Sequence, residues 1–246
     1  MKAVVIIPAR YESSRFPGKP IENILGVPMI IRVADICAKA VGKDSVFIAT
    51  DNMKIVEVVE KYRYQSIMTS KNALTGTDRV AEAAKKIEAD IYINVQGDEP
   101  TIKPENIINI IKTKSKYPNY IVNSFYRILK NEDPHNANIP KVVKNEKNFL
   151  VYMSRSIVPG TKKQEIEKNE YFKQVCIYGF SKSELDDFLN FGKKSKIEEL
   201  EDIEILRFFE LNKKIFMIEA SDTSIAVDEP SDIKKVEEFL LKSNEN

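Results

Sequence analysis

Residues 2–20 read KAVVIIPARYESSRFPGKP, an apolar run that stops at a proline and gives way to a basic loop. Within it, Lys2–Pro8 sets valines and isoleucines side by side without polar alternation. Alternation marks a strand with one wet face; its absence marks a strand covered on both faces, as in a parallel sheet between helices. Similar runs recur at Ser45–Thr50 (SVFIAT) and Asp90–Val95 (DIYINV), with a weaker one at Gln65–Thr69. Between them, apolar residues fall at helical spacing in Pro28–Ala40 (Met29, Val33, Cys37, Ala40), around Ile55, Val58, Val59 and Tyr62, and in Asp78–Ile87 (Val80, Ala83, Ala84, Ile87). Pro104–Ser115 predicts a further helix, opening on a proline whose missing amide proton costs little there. Strands alternating with helices predict βαβ crossovers and a mostly parallel, Rossmann-like α/β sheet flanked by helices.

The second half is less regular. Strands are expected at Tyr120–Arg127, Phe149–Met153, Val175–Phe180 and Ile215–Glu219, with polar stretches at Lys130–Asn138 and Gly160–Lys173. Lys196–Leu211 predicts one amphipathic helix with Ile197, Leu200, Ile203, Leu206 and Phe209 toward the core, and Asp232–Leu241 a closing helix capped by Ser231. With no internal repeat or low-complexity linker, residues 1–246 are expected to form a single domain carrying a β-rich insertion over about 134–180.

Composition excludes several classes. Hydrophobic residues make up 43% and charged residues 30% of 246, enough for a full core in a soluble chain. Thirty-eight basic against 37 acidic side chains leave a net charge of +1, with no global pull toward nucleic acid or an anionic membrane. No apolar run approaches a membrane span and the N-terminus lacks signal-peptide architecture, so a cytoplasmic location is expected. Cys37 and Cys176 have no CxxC or histidine partner and are read as packing residues.

Ligands of open α/β sheets bind beyond the carboxyl ends of the strands, which marks Pro8–Lys19, Thr50–Asp51 and Gln96–Pro100. In the first of these, Arg10, Arg15 and Lys19 fall within ten residues, with Ser13 and Ser14 as hydroxyl donors and Gly18 allowing close backbone approach. Converging cations suit a polyphosphate, arginine as a fork and lysine as a point charge. A solvated basic loop is the alternative that position argues against. A P-loop is excluded, because no glycine stands five residues before Gly18 and Pro20 replaces the required hydroxyl residue; a dinucleotide fingerprint is absent too.

The string IIPARYESSRFPGKP resembles the start of the 3-deoxy-manno-octulosonate cytidylyltransferase family. The resemblance continues in order through Ala49–Asp51, Thr75–Arg79 (TGTDR), Asn94–Pro100 (NVQGDEP), Lys141–Val143, Ser154–Arg155, Ile177–Phe180, Ile203–Arg207 and Val227–Ile233 (VDEPSDI). It implies a nucleotidyltransferase-type fold, usually a homodimer with the insertion at the interface, that uses CTP and Mg2+ to activate an ulosonic acid for lipopolysaccharide or a related surface glycan. Pro8, Ala9, Arg10, Ser14, Arg15, Lys19, Thr77, Asp78, Arg79 and Gln96 are then expected at the nucleotide, with Arg10, Arg15, Lys19 and Asp98 catalytic. Asp98 and Asp228 are expected to hold the metal, a hard cation content with few carboxylates plus phosphates. Asp98 has a bland alternative as a helix-start acid, Asp228 as a turn residue before Pro230, and Asp78 as the cap of its helix. His135, the one histidine, lies in a polar loop and is assigned nothing.

At the acceptor, the resemblance implicates Arg155, Gln174, Tyr178, Glu204 and Ile205. Three positions depart from the family pattern: Gln174 and Ala73 stand where histidines are usual, and Ile205 where a glutamine is. Kdo or a close variant is the expected acceptor; because a buried hydroxyl deprived of its partner costs about 1–3 kcal/mol, these departures raise a modified acceptor, such as an amino or deoxy variant of Kdo, as the alternative. Another acidic sugar, or a nucleotide-binding module without catalysis, are further alternatives; retention of Lys19, Asp98 and Asp228 argues against the latter.

Overall fold

The computed structural model describes residues 1–12, 16–162, 170–222 and 224–244. Strand β1 (Ala3–Ala9) occupies the middle of the sheet, buried from Val4 to Ala9. Its side chains divide between two cores. Val5 and Ile7 pack with Ile30, Val33, Cys37 and Ile55 on one face; Val4 and Ile6 pack with Val80, Ala84, Tyr92 and Phe208 on the other. Both faces are dry, which is why the run shows no alternation. Each such isoleucine contributes about 1.5–3 kcal/mol by leaving water.

Small strands β2 (Asn23–Ile24) and β3 (Val27–Pro28) and helix α1 (Met29–Val41) lead to β4 (Val46–Thr50). Helix α2 (Met53–Lys61) then crosses to β5 (Gln65–Met68), and α3 (Gly76–Ala84) to β6 (Ile91–Val95). β1 pairs in parallel with β4 and β6, and β4 with β5, as the alternating pattern predicts. Helix α4 (Pro104–Lys116) connects to β7 (Ile121–Arg127). A hairpin of β8 (Lys141–Lys144) and β9 (Leu150–Ser154) precedes β10 (Phe172–Phe180), and β11 (Ile215–Glu219) closes the far edge. The main path runs β11-β7-β10-β6-β1-β4-β5, and β10 is antiparallel to both its neighbours there. Of the β-rich range 134–180, the hairpin hangs on β10 at the side, while most of β10 belongs to the main sheet.

Helix α3 starts earlier than its apolar pattern suggests. Thr75 is the cap, accepting the Asp78 amide, so Asp78 sits inside the first turn. Helix α5 (Lys182–Asn190) is an addition to the elements expected from sequence; Ser181 and Glu184 form a capping box, and Leu185 and Phe188 are buried at helical spacing. The single helix expected over Lys196–Leu211 is broken. It divides into α6 (Lys196–Glu201), a 3-10 turn at Glu204–Leu206 and α7 (Arg207–Glu210). Asp202 takes a left-handed conformation (φ 49°), which aspartate tolerates better than most residues, and Leu200 is 78% exposed rather than in the core. Helix α8 (Pro230–Asn244) opens on its proline, so Ser231 lies within the helix instead of capping it. Both cysteines are free thiols, Cys37 buried and Cys176 half-buried. Among the described residues no helix is long and apolar enough to cross a membrane.

Candidate active site

The carboxyl ends of β1 and β6 open onto a cleft of about 1150 Å³, with β10 along one wall. Its floor depends on a close backbone approach. A Cβ added at Gly97 would stand 2.9 Å from the Pro8 carbonyl, so the loop after β6 touches the end of β1 only because residue 97 has no side chain. Gly18 holds the first loop from the other end. It adopts a left-handed φ of 74°, donates to the Tyr11 carbonyl at 2.9 Å and packs on the Tyr11 ring.

Lys19 is thereby aimed into the cleft. Its Nζ donates to Asp98 Oδ2 and to the Val227 carbonyl, both at 2.8 Å. Val227 returns its own amide to the Asp98 carbonyl at 2.9 Å. Three segments distant in the chain therefore meet, and Asp228 follows directly on the same lining. The Asp98 side chain keeps a third of its surface exposed, and Asp232 Oδ2 fixes the turn by accepting the Asp228 and Glu229 amides. Pro8, Ala9, Arg10 and Gln96 line the same space. Ser14 and Arg15 lie outside the described residues.

Glu99 was not assigned a role from sequence, yet it lines the cleft and is buried, with 6% exposure. Burial and the neighbouring Asp98 carboxylate push its carboxyl up to about 7, against a hydrogen bond from Ser224. Its Oε2 has no hydrogen-bond partner among the described residues. No spacing in the sequence signals this; only its burial in the folded chain does.

On the expected nucleoside side, two residues are not where sequence placed them. Thr75, Gly76 and Arg79 line the cleft, but Thr77 and Asp78 do not. Asp78 turns inward to the buried Arg207 guanidinium, at 2.7 and 3.0 Å, because an unpaired arginine there would be prohibitively costly. Thr77 gives its amide and hydroxyl to Glu204 Oε2 at 2.7 and 2.6 Å. Arg79 is pinned to Asp51 at 2.8 Å and Thr69 at 2.5 Å.

The acceptor half is lined by Arg155, Gln174, Tyr178 and Glu204, with Ala73 opposite the same space. Ile205 does not belong to it. At 1% exposure it packs in the core with Phe180, Leu185 and Phe208, so its departure from the family pattern leaves the cleft wall unchanged. Glu204 is engaged by the amides of Gly76 and Thr77 at the start of α3; burial raises its carboxyl while those bonds oppose the rise. Arg155 spans the opposite wall, donating to the carbonyls of Glu201, Ala137 and Asp202. Burial pushes the Tyr178 phenol well above its ordinary range, which keeps it neutral. Lys173, paired with Glu132, and residues 136–140 complete this half and carried no sequence signal. His135 is exposed and outside the lining.

The sequence model of the family described as Cytidylyltransferase matches residues 4–215. The chain belongs to the cytidylyltransferase family. This cytidylyltransferase is 35% identical over 241 residues to the 3-deoxy-manno-octulosonate cytidylyltransferase of Escherichia coli, covering 98% of this chain and 97% of that one. It is 37% identical over 248 residues to the protein of that name from Fusobacterium nucleatum subsp. nucleatum, covering 99% of each. A solved structure titled as CMP:2-keto-3-deoxy-manno-octonic acid synthetase complexed with CTP superposes with a TM-score of 0.90 at 34% identity, over 99% of this cytidylyltransferase and 100% of the other.

Proposed function

We propose that the protein transfers CMP from CTP to the anomeric hydroxyl of Kdo, releasing pyrophosphate, for lipopolysaccharide or a related surface glycan. The observation that carries this reading is the meeting of Lys19, Asp98 and the Val227–Asp228 segment at the sheet's carboxyl edge. It sets a cation and two carboxylates beside the loop that supplies Arg10. The chain-long likeness to relatives named for this reaction agrees with it.

In the reaction, the anomeric oxygen forms a bond to the α-phosphorus, the bond from that phosphorus to the bridging oxygen of pyrophosphate breaks, and the hydroxyl proton goes to solvent. Arg10 and Lys19, with Arg15 of the same loop, neutralise phosphate charge as it shifts to the leaving group. Arg155 orients the acid sugar and Tyr178 offers a neutral phenol on the same wall, holding the hydroxyl in line with the phosphorus. No protein nucleophile is required.

The cleft suits Mg2+ held by Asp98 and Asp228. Among the described residues no cluster of three or more metal-ligating side chains exists. Two carboxylates completed by phosphates and water is the donor set magnesium favours over an all-protein cage. When bound, the ion supplies Lewis acidity at the phosphates. We further read the protein as a cytoplasmic homodimer, with the β8–β9 hairpin, whose Val151 is exposed, at the contact.

The test is pyrophosphate release with CTP and Mg2+ against a panel of ulosonic acids, with UTP as the nucleotide control. Release with CTP and Kdo is expected; preference for UTP, or release without any acceptor, would overturn the reading. Gln174, which does face the cleft, favours including amino and deoxy variants of Kdo in the panel.

A further inference from the structure

Strand β10 does not run straight past β7. Val175 stands opposite Ser124 and Tyr178 opposite Asn123, so one step on β7 is matched by three on β10. Such a bulge withdraws backbone carbonyls from the ladder, and buried carbonyls need partners. Asn123, fully buried on β7, supplies them: its Nδ2 donates to Val175 O at 3.0 Å and to Ile177 O at 2.9 Å. The carbonyl between, that of Cys176, accepts the Gln96 amide at 3.4 Å.

Serving two carbonyls takes both protons of a primary amide, which fixes the direction of the Asn123 side chain. Its Oδ1 is then left as an acceptor, and it receives Gln174 Nε2 at 3.3 Å. That contact sets the Gln174 amide in turn, with its nitrogen toward β7 and its Oε1 left for a ligand. Gln174, Val175, Cys176 and Tyr178, the residues on and around the bulge, all line the cleft.

We propose that Asn123 is a positioning residue for the acceptor: it holds the β10 bulge and fixes Gln174 so that an oxygen faces a hydroxyl or ammonium group of the acid sugar. This rests on the reading of the cleft given under Proposed function. Asn123 has no hydrogen bond to Arg10, Lys19 or Asp98, and its two donations go to Val175 and Ile177 while Gln96 meets only the carbonyl of Cys176 between them, so the effect is expected on the acceptor.

Steady-state kinetics of Asn123→Ser, with CTP and the best acceptor each varied, provide the test. The serine keeps one donor and loses the second donation and the fixed partner of Gln174. The acceptor KM should rise about tenfold, the scale of one lost hydrogen bond, with kcat and the CTP KM within about twofold. In a Gln174→Ala background the same change should have a much smaller effect, because the residue through which it acts is gone. Asn123→Thr, whose branched side chain suits a buried strand, should show the same split and serves if the serine variant does not fold. Parallel rises in both KM values, or no rise in the acceptor KM, would overturn the role of Asn123 alone. Failure of the unmodified enzyme to use any ulosonic acid would overturn the functional reading and this role with it.

Discussion

Replacing Arg207 by methionine should destabilise the protein severely, and the size of the loss follows from what surrounds the guanidinium. Arg207 has no exposed surface, stacks 3.8 Å above the Phe188 ring and bonds Asp78 at 2.7 and 3.0 Å and Glu198 at 2.7 and 2.6 Å. The two carboxylate side chains are only 4% and 1% exposed, so neither can turn to water when the cation goes. Methionine fills most of the volume, which leaves charge as the dominant loss. Breaking a buried pair from one side costs about 3–5 kcal/mol, against a total stability of about 5–15 kcal/mol for a typical domain. Urea unfolding at pH 7, with equal slopes as the check that the unfolded states match, measures it. The companion variant Arg207→Met with Asp78→Asn and Glu198→Gln removes the stranded charges and should recover to within about 2 kcal/mol of the parent. A single variant within about 1 kcal/mol of the parent, or a triple variant no better than the single, would refute the reasoning.

Other predictions are shorter. Asp98→Asn should abolish magnesium-dependent turnover while leaving the urea midpoint near that of the parent, since the side chain is a third exposed and its loss strands only Lys19; turnover near normal would contradict the metal assignment. Lys19→Ala should lower kcat/KM for CTP by about 10²-fold, as loss of one charge-stabilising contact does, when measured at fixed acceptor. Gly97→Ala puts a Cβ 2.9 Å from the Pro8 carbonyl and must push the two loops apart; activity should fall much further than melting temperature. Glu99→Gln tests the raised carboxyl at residue 99 in metal-free buffer. A carboxyl raised from 4.5 to about 7 contributes stability below pH 4.5 that is lost as pH climbs through 7. Glutamine has no such loss, so the variant should gain on the parent across that window, by up to about 3 kcal/mol above it; parallel pH–stability curves would rule this out.

What the sequence disclosed depended on whether the signal was local. β1 was legible because burial on two faces leaves a mark in the residues themselves, and the cleft's position followed from the strand ends. Lys196–Leu211 misled because helical spacing of apolar residues persists across Asp202, whose left-handed backbone ends α6. The Ile205 misreading has the same root: motif position says nothing about which way a side chain faces in a 3-10 turn, and this one faces Phe208 and the core. Asp78 was recognisable as part of the TGTDR block, but its partner Arg207 is 129 residues away. Glu99 and Asn123 were silent for another reason. What marks them is, for Glu99, an oxygen with no partner among the described residues and, for Asn123, a strand irregularity, and neither has a spacing to detect.

The contact of Lys19 with Asp98 and Val227 also sets an order of assembly. Its members stand 79 and 208 residues from the lysine. During synthesis β1, β4, β5 and β6 can emerge and pair while the cleft still lacks its third segment. A chain that stops short of Val227 keeps Lys19 and Asp98 but lacks the carbonyl and the amide that tie them to the third segment.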